Sequence, residues 1–246
     1  MTELTGKVAL VTGGSRGIGA AIARRLAYAG AAVAFTYVAA ADKALAVAKQ
    51  IDADGGRVLV LQADSSDPAE IVSAVERTVQ EFGRIDVLVN NAGVFIAAPI
   101  EEATLEQADR IWAVDVRAVL VAAQAAARHM TDGGRIITIG SALTDRVPAP
   151  GMALYAMAKS ALVGLTRGLA RDLGPRGITV ALVHGGLIDT DMNPADGPGA
   201  SVLRSVPALG RYGTPEDIAA MVAHLAGEGG RYITGAAISV DGGFAA

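Results

Sequence analysis

A phenol and an ammonium stand four residues apart in Tyr155-Ala-Met-Ala-Lys159. On a helix that spacing puts both groups on one face, a turn apart, and the lysine charge favours the phenolate over the phenol. A tyrosine so placed hands a proton to a carbonyl oxygen, or takes one back from an alcohol, near neutral pH. The same spacing also arises by chance on solvated helix faces, so the rest of the chain has to supply a cofactor, a carbonyl anchor and a pocket.

The elements around the pair alternate between strand and helix. Lys7 to Val11 reads as a buried strand running into Thr12-Gly-Gly-Ser-Arg-Gly-Ile-Gly19, and Ala20 to Ala29 has helical composition. Gly13 permits a sharp turn, Gly17 lets a pyrophosphate approach the backbone, and Gly19 lets the helix pack on the strand. Ser15, Arg16 and Ile18 lie in the same turn, whose amides and helix dipole favour phosphate. The alternative is an ordinary turn that binds nothing.

A strand over Ala32 to Tyr37 follows, and its end is where an NAD site presents an Asp or Glu to the ribose. Here the residue is Tyr37, and the nearby cation is Arg16. A missing carboxylate removes repulsion toward a 2′-phosphate, so NADP(H) is favoured over NAD(H), with a solvated loop arginine as the alternative for Arg16. Asp64-Ser65 at the next strand end suits an adenine amino group, although an Asx turn explains Asp64 as well. Asp67 and Pro68 cap and open the helix that runs to Phe82.

Further on come a strand over Ile85 to Val89, then Asn90-Asn91-Ala92-Gly93, whose small residues let a cofactor lie across the strand end. A long helix is expected from Thr104 to Met130, a strand from Arg135 to Ile139 followed by Gly140-Ser141, and a helix from Met152 to Leu173 carrying the tyrosine and lysine. Strands over Thr179 to Val183 and Ala237 to Val240 complete the pattern. The reading is α/β, a single-domain Rossmann-like doubly wound parallel sheet flanked by helices over residues 1–246. Residues 185–213 are the one long irregular stretch and read as a substrate lid.

Composition agrees: the chain has 246 residues, 52% of them hydrophobic, and 30 glycines without fixed period. A net charge of -4 without a basic run gives no face for nucleic acid or an anionic membrane. The absence of cysteine excludes disulfides and thiolate metal sites, and no metal is expected. Glu3 and Lys7 precede any apolar run and no run reaches the about 18 residues of a membrane span, which predicts a soluble, cytoplasmic protein.

The glycine turn at Thr12–Gly19, Asn90-Asn-Ala-Gly93, Ser141 and Tyr155-x-x-x-Lys159, in that order, resemble the classical short-chain dehydrogenase/reductase family across essentially the whole chain. The resemblance implies Tyr155 as general acid and base, Lys159 as its electrostatic partner and holder of the nicotinamide ribose, and Ser141 as the carbonyl anchor. It also implies that Gly186, the Ile188 backbone, Thr190 and Met192 border the nicotinamide, and that the protein is a homotetramer.

Two residues depart from the family. Asp115 stands where an asparagine is usual, so a carboxylate near Lys159 should raise the pH optimum for oxidation, unless it pairs with Lys159 through a water. Gly185 stands in place of proline and should loosen the lid's hinge.

The expected pocket lining, Phe95, Leu143, Val147, Pro148, Leu187 and Met192, is apolar and suits a neutral ketone or alcohol as the small-molecule substrate. Two other readings stay open. One is a 3-oxoacyl-carrier-protein reductase, for which only Arg176 remains of a basic docking patch. The other is a non-catalytic cyclic di-GMP-binding branch of the family, suggested by Ile188–Pro198 with Gly174–Ile178.

Overall fold

Short runs of valine, isoleucine, leucine and alanine become strands because each residue pair can bury one side chain on either face of a sheet. The computed structural model describes residues 3–246. Its strands are β1 Val8–Val11, β2 Ala32–Tyr37, β3 Val58–Gln62, β4 Val87–Asn90, β5 Arg135–Ser141, β6 Thr179–Gly185 and β7 Ala236–Val240. They form one 7-stranded sheet in the order β3-β2-β1-β4-β5-β6-β7, every neighbouring pair parallel.

Parallel neighbours need crossovers, and helices supply them: α1 Gly17–Tyr28, α2 Ala41–Ala53, α3 Pro68–Phe82, α4 Leu105–Trp112, α5 Ala118–His129, α6 Ala153–Leu173, α7 Ala200–Leu203 and α8 Pro215–Ala226. Alternation along the strands makes a core on each face. Val11, Val33, Phe35, Val89, Ile137 and Val183 pack under α1, α2 and α8, while Leu10, Ala34, Leu88, Ile136 and Val180 pack under α3 and α5. Local signals set the helix starts: Asp67 accepts from Ala69 N at 2.8 Å beside Pro68, and Thr104 forms a capping box with Gln107.

The order of strands reverses between β1 and β4, so the loops after them part and leave a crevice at their carboxyl ends. That crevice positions the site. No helix among the described residues is long and apolar enough to cross a membrane.

Three expectations are corrected. The helix expected over Thr104 to Met130 is two helices joined by a π-helical turn over Ala113–Arg117. Ala113, Val114, Asp115 and Val116 are buried in this turn, which packs in part against α6. The strand expected over Ile85–Val89 runs Val87–Asn90, so Asn90 is a strand residue whose amide faces Thr138 Oγ1 at 3.4 Å and not part of the turn. Gly185 is not a loose hinge: β6 continues through it, in register with Ser141 on one side and Val240 on the other. Beyond it the neck of the 186–213 segment is tied, with Gly213 N donating to Leu187 O at 2.8 Å and Asp189 N to Gly213 O at 2.9 Å.

Candidate active site

Alanine and leucine dominate α6, and on that helix Tyr155 and Lys159 share the inward face. Tyr155 is half-buried and Lys159 is buried, its ammonium 5.6 Å from the centroid of the Tyr155 ring. Lys159 Nζ lies 2.8 Å from Asp115 Oδ1 and donates to Ile139 O at 3.4 Å. The second carboxylate oxygen of Asp115 accepts from Val94 N at 3.0 Å. The contact is direct, which corrects the water-bridged alternative.

Burial alone pulls the Lys159 ammonium down, but its electrostatic interactions with Tyr155 and Asp115 and its hydrogen bond to Asp115 outweigh it and hold the amine above its ordinary value. Lys159 therefore stays charged across the working pH range. Gly93 makes the pair possible: a Cβ there would stand 2.9 Å from Asp115 Oδ1 and 3.4 Å from Lys159 Nζ. Phe95 packs edge-on against the Tyr155 ring with centroids 5.0 Å apart, so one rim of the phenol is walled by an apolar side chain.

Ser141 ends β5 and caps a short turn over Ala142–Thr144, its Oγ accepting from Leu143 N at 3.2 Å. With that lone pair used, the hydroxyl hydrogen is left to donate. His184 lies beneath it on β6 with Nδ1 3.1 Å from Ser141 N. This histidine was not among the expected site residues; the available signal was Gly140, a glycine inside a strand, which marks close approach of a neighbour.

The loop after β1 is bound to the loop after β4 by Asn91, whose Nδ2 donates to Thr12 O and Gly13 O, each at 3.0 Å. Ala92 N and Asn91 N both donate to Thr12 Oγ1. Gly13 has φ +68, outside the comfortable range of other residues, and a Cβ on Gly19 would fall 2.2 Å from Gly13 O. No side chain caps the start of α1, so the amides of its first turn, at Gly17 and Ile18, have no side-chain acceptor; Ser15 and Tyr37 are half-buried. The set fits a dinucleotide: open amides at a helix start, backbone without Cβ atoms, and cations beyond β2.

Those cations are two. Besides Arg16 there is Lys43 of α2, and between them sits Asp191, 3.7 Å from Arg16 and 2.5 Å from Lys43. Hydrogen bonding to Lys43 first, then its charge, holds the Asp191 carboxyl below its ordinary value. Asp191 follows Thr190, whose methyl lies 3.3 Å from where a Gly17 Cβ would stand. The segment after β6 thus crosses the glycine loop. Ile188 is buried in the core under α8, Gly186 presses on Asp241, and Met192 is exposed.

Asp64 forms the Asx turn, which leaves its second carboxylate oxygen open to the adenine amino group that was its other expected partner. Its Oδ1 accepts from Ser66 N and Ser66 Oγ, each at 2.8 Å, and the Ser66 backbone bond foremost lowers its carboxyl. Ser65 is buried beside it. Of the expected pocket wall, Phe95, Val147 and Met192 are exposed apolar groups and Leu143 and Leu187 are half-buried. Arg146 is exposed and donates from Nη1 to Phe244 O at 3.0 Å.

The model of the family described as enoyl-(acyl carrier protein) reductase matches residues 13–245. A short-chain dehydrogenase/reductase from Serratia marcescens BCRC 10948 is 59% identical with a TM-score of 0.98, covering 99% of this chain and 100% of that one. The chain belongs to the short-chain dehydrogenase/reductase family. A second short-chain dehydrogenase, from Burkholderia cenocepacia J2315 and solved in complex with NADP, is 56% identical with a TM-score of 0.98 over 99% of this chain and 100% of that one. The cyclic-di-GMP-binding biofilm dispersal mediator protein of Escherichia coli (strain K12) is 46% identical over 246 residues, 100% of both chains. Family membership makes this an oxidoreductase fold with its crevice at the β1 and β4 ends.

Proposed function

We propose that the protein is an NADP(H)-dependent reductase of a neutral ketone, working also in reverse on the secondary alcohol, with Tyr155 as general acid and base. The observation that carries the reading is the buried ammonium of Lys159, held between Asp115 and the β5 backbone under the face of Tyr155, two residues along β5 from Ser141. When bound, the nicotinamide supplies or accepts the hydride. Ser141 donates its hydroxyl hydrogen to the carbonyl oxygen, Tyr155 delivers the proton, and Lys159 stabilises the phenolate left behind. Arg16 and Lys43 support preference for the 2′-phosphate over a free ribose hydroxyl, in line with the NADP held by the Burkholderia relative. The 186–213 segment serves as the lid, with Thr190 and Met192 toward the nicotinamide.

A carrier-protein substrate gains no support. The Arg176 guanidinium is half-buried and donates to Ala127 O and Met130 O at the end of α5, which ties this cation to its own chain. The Escherichia coli relative favours cyclic di-GMP binding as a second reading. Against one site built from Gly174–Ile178 and Ile188–Pro198, the two stretches flank β6 at opposite edges of the sheet. Exposed Leu105, Trp112, Leu120 and Met157 on α4, α5 and α6 support association into a homotetramer, which light scattering tests.

The deciding experiment follows NADPH and NADH consumption over a panel of ketones and a 3-oxoacyl thioester, beside calorimetry with cyclic di-GMP. Ketone-dependent NADPH oxidation is expected, falling about 10²- to 10⁴-fold in Tyr155→Phe while NADPH still binds. Cyclic di-GMP binding without turnover of any carbonyl overturns the reading.

A further inference from the structure

The register of β5 and β6 sets Gly140 opposite His184 and Ser141 opposite Gly185. His184 points at its neighbour: a Cβ on Gly140 would stand 2.6 Å from the ring's Nδ1, so glycine is what admits the imidazole. The ring is buried at 2% exposure. Ser141 N donates to Nδ1 at 3.1 Å, which makes Nδ1 the acceptor and leaves the neutral ring's hydrogen on Nε2. Nε2 faces Thr144 Oγ1 at 3.5 Å, and that hydroxyl donates back to Ser141 O at 3.0 Å. Both backbone groups of Ser141 are therefore engaged by one closed ring of contacts through two side chains.

We propose that His184 is a positioning residue for Ser141: as the neutral Nε2–H tautomer it fixes the serine's backbone through Nδ1 and Thr144, and thereby aims the hydroxyl that holds the substrate carbonyl. Its catalytic consequence rests on the ketone-reductase reading; its tautomer and its bond to Ser141 do not. Protonation would turn Nδ1 from acceptor to donor, set two N–H groups against each other and open the ring. The charged groups acting on the imidazole are Asp145, Lys159 and Asp241; burial is the largest influence and keeps the ring neutral below the ordinary histidine range. The arrangement therefore holds at neutral pH and fails in acid.

Long-range ¹H–¹⁵N correlation on the wild-type protein reads the tautomer without any substrate. The expected result is an unprotonated Nδ1 and a protonated Nε2 at pH 7, with the Ser141 amide shifting in step when the ring titrates. An Nδ1–H tautomer, a charged ring at pH 7 or an indifferent Ser141 amide overturns the proposal. With a ketone substrate in hand, His184→Ala is expected to lower kcat about 10- to 100-fold at unchanged KM for NADPH, since displacement of a positioning contact by an ångström costs on that order. His184→Asn, whose Oδ1 takes the place of Nδ1 and does not titrate, is expected to restore most of kcat and to lose the acid limb of the pH profile due to the ring. A folded His184→Asn as impaired as His184→Ala, or one keeping that acid limb, counts against it. Absence of any ketone turnover in the wild type speaks to the proposed function alone, and the tautomer measurement still decides the role of His184.

Discussion

Two carboxylates contact cations across the same crevice, and their surroundings differ completely. Asp115 and Lys159 meet at 2.8 Å with side-chain exposures of 0% and 6%, whereas Asp191 meets Lys43 at 2.5 Å and Arg16 at 3.7 Å with all three groups about half exposed. Distance does not separate the two contacts. Burial does: in the interior each charge has lost its water and depends on its partner, while at the surface water and salt can replace either partner at little cost. The buried pair is expected to behave as permanent structure, and the surface bridge to give way to the proposed 2′-phosphate.

The strongest challenge to that contrast removes the buried partner. Asp115→Ala leaves an uncompensated ammonium in the interior and is expected to destabilise the protein by about 3–5 kcal/mol in urea denaturation. A loss below about 1 kcal/mol would mean that the pair is not carrying Lys159. Asp115→Asn is the milder test. Val94 N and Lys159 now use different carboxylate oxygens, and an amide offers them only one, so the two donors must share it or one contact is lost. With the negative charge gone, the lysine charge acts on Tyr155 undiminished, and the pH optimum for alcohol oxidation is expected to move down; identical pH-rate profiles would exclude any electrostatic role for the carboxylate.

Space around the pair can be probed without touching a charge. Gly93→Ala puts a methyl 2.9 Å from Asp115 Oδ1, and is expected to cost about 1–3 kcal/mol and to lower turnover, as overpacking does. Near-native stability there would show that the pair has room to move.

A pH series sharpens the comparison at a third buried group. The folded chain holds His184 below its ordinary value, chiefly by burial. Between the folded and unfolded values the unfolded chain binds more protons, so this contribution is complete above the ordinary histidine range and is lost as pH falls toward the folded value. The urea midpoint is therefore expected to fall below about pH 6.5, and less steeply in His184→Asn.

The smallest effect belongs to the surface. Asp191→Asn is expected to change stability by less than about 1 kcal/mol. Arg16 and Lys43 are then left to a 2′-phosphate, and the Kd for NADPH should fall several-fold at low salt while that for NADH stays put. Equal changes for both cofactors would sever the bridge from the phosphate.

Much of this was legible from residue order. The glycine turn, the alternation of strand and helix, the cap at Asp67-Pro68 and the shared face of Tyr155 and Lys159 are local matters of backbone freedom and periodicity. At Asp64 the Asx turn foreseen from residues within three positions is formed. The π turn escaped local reasoning because no residue in Ala113–Arg117 breaks a helix, so nothing local marks the extra residue in the turn that packs on α6.

The sequence by itself determined a parallel α/β sheet, a glycine-rich turn between β1 and α1 and a tyrosine and a lysine on one helix face, since each follows from neighbours within a few positions. The tertiary structure alone decided that Asp115 touches Lys159 directly, that Lys43 and Asp191 meet across the glycine loop, and that His184 lies under Ser141. Those contacts join segments far apart in the chain, and what brings them together is the strand order and the register of β5 on β6, which no local pattern encodes.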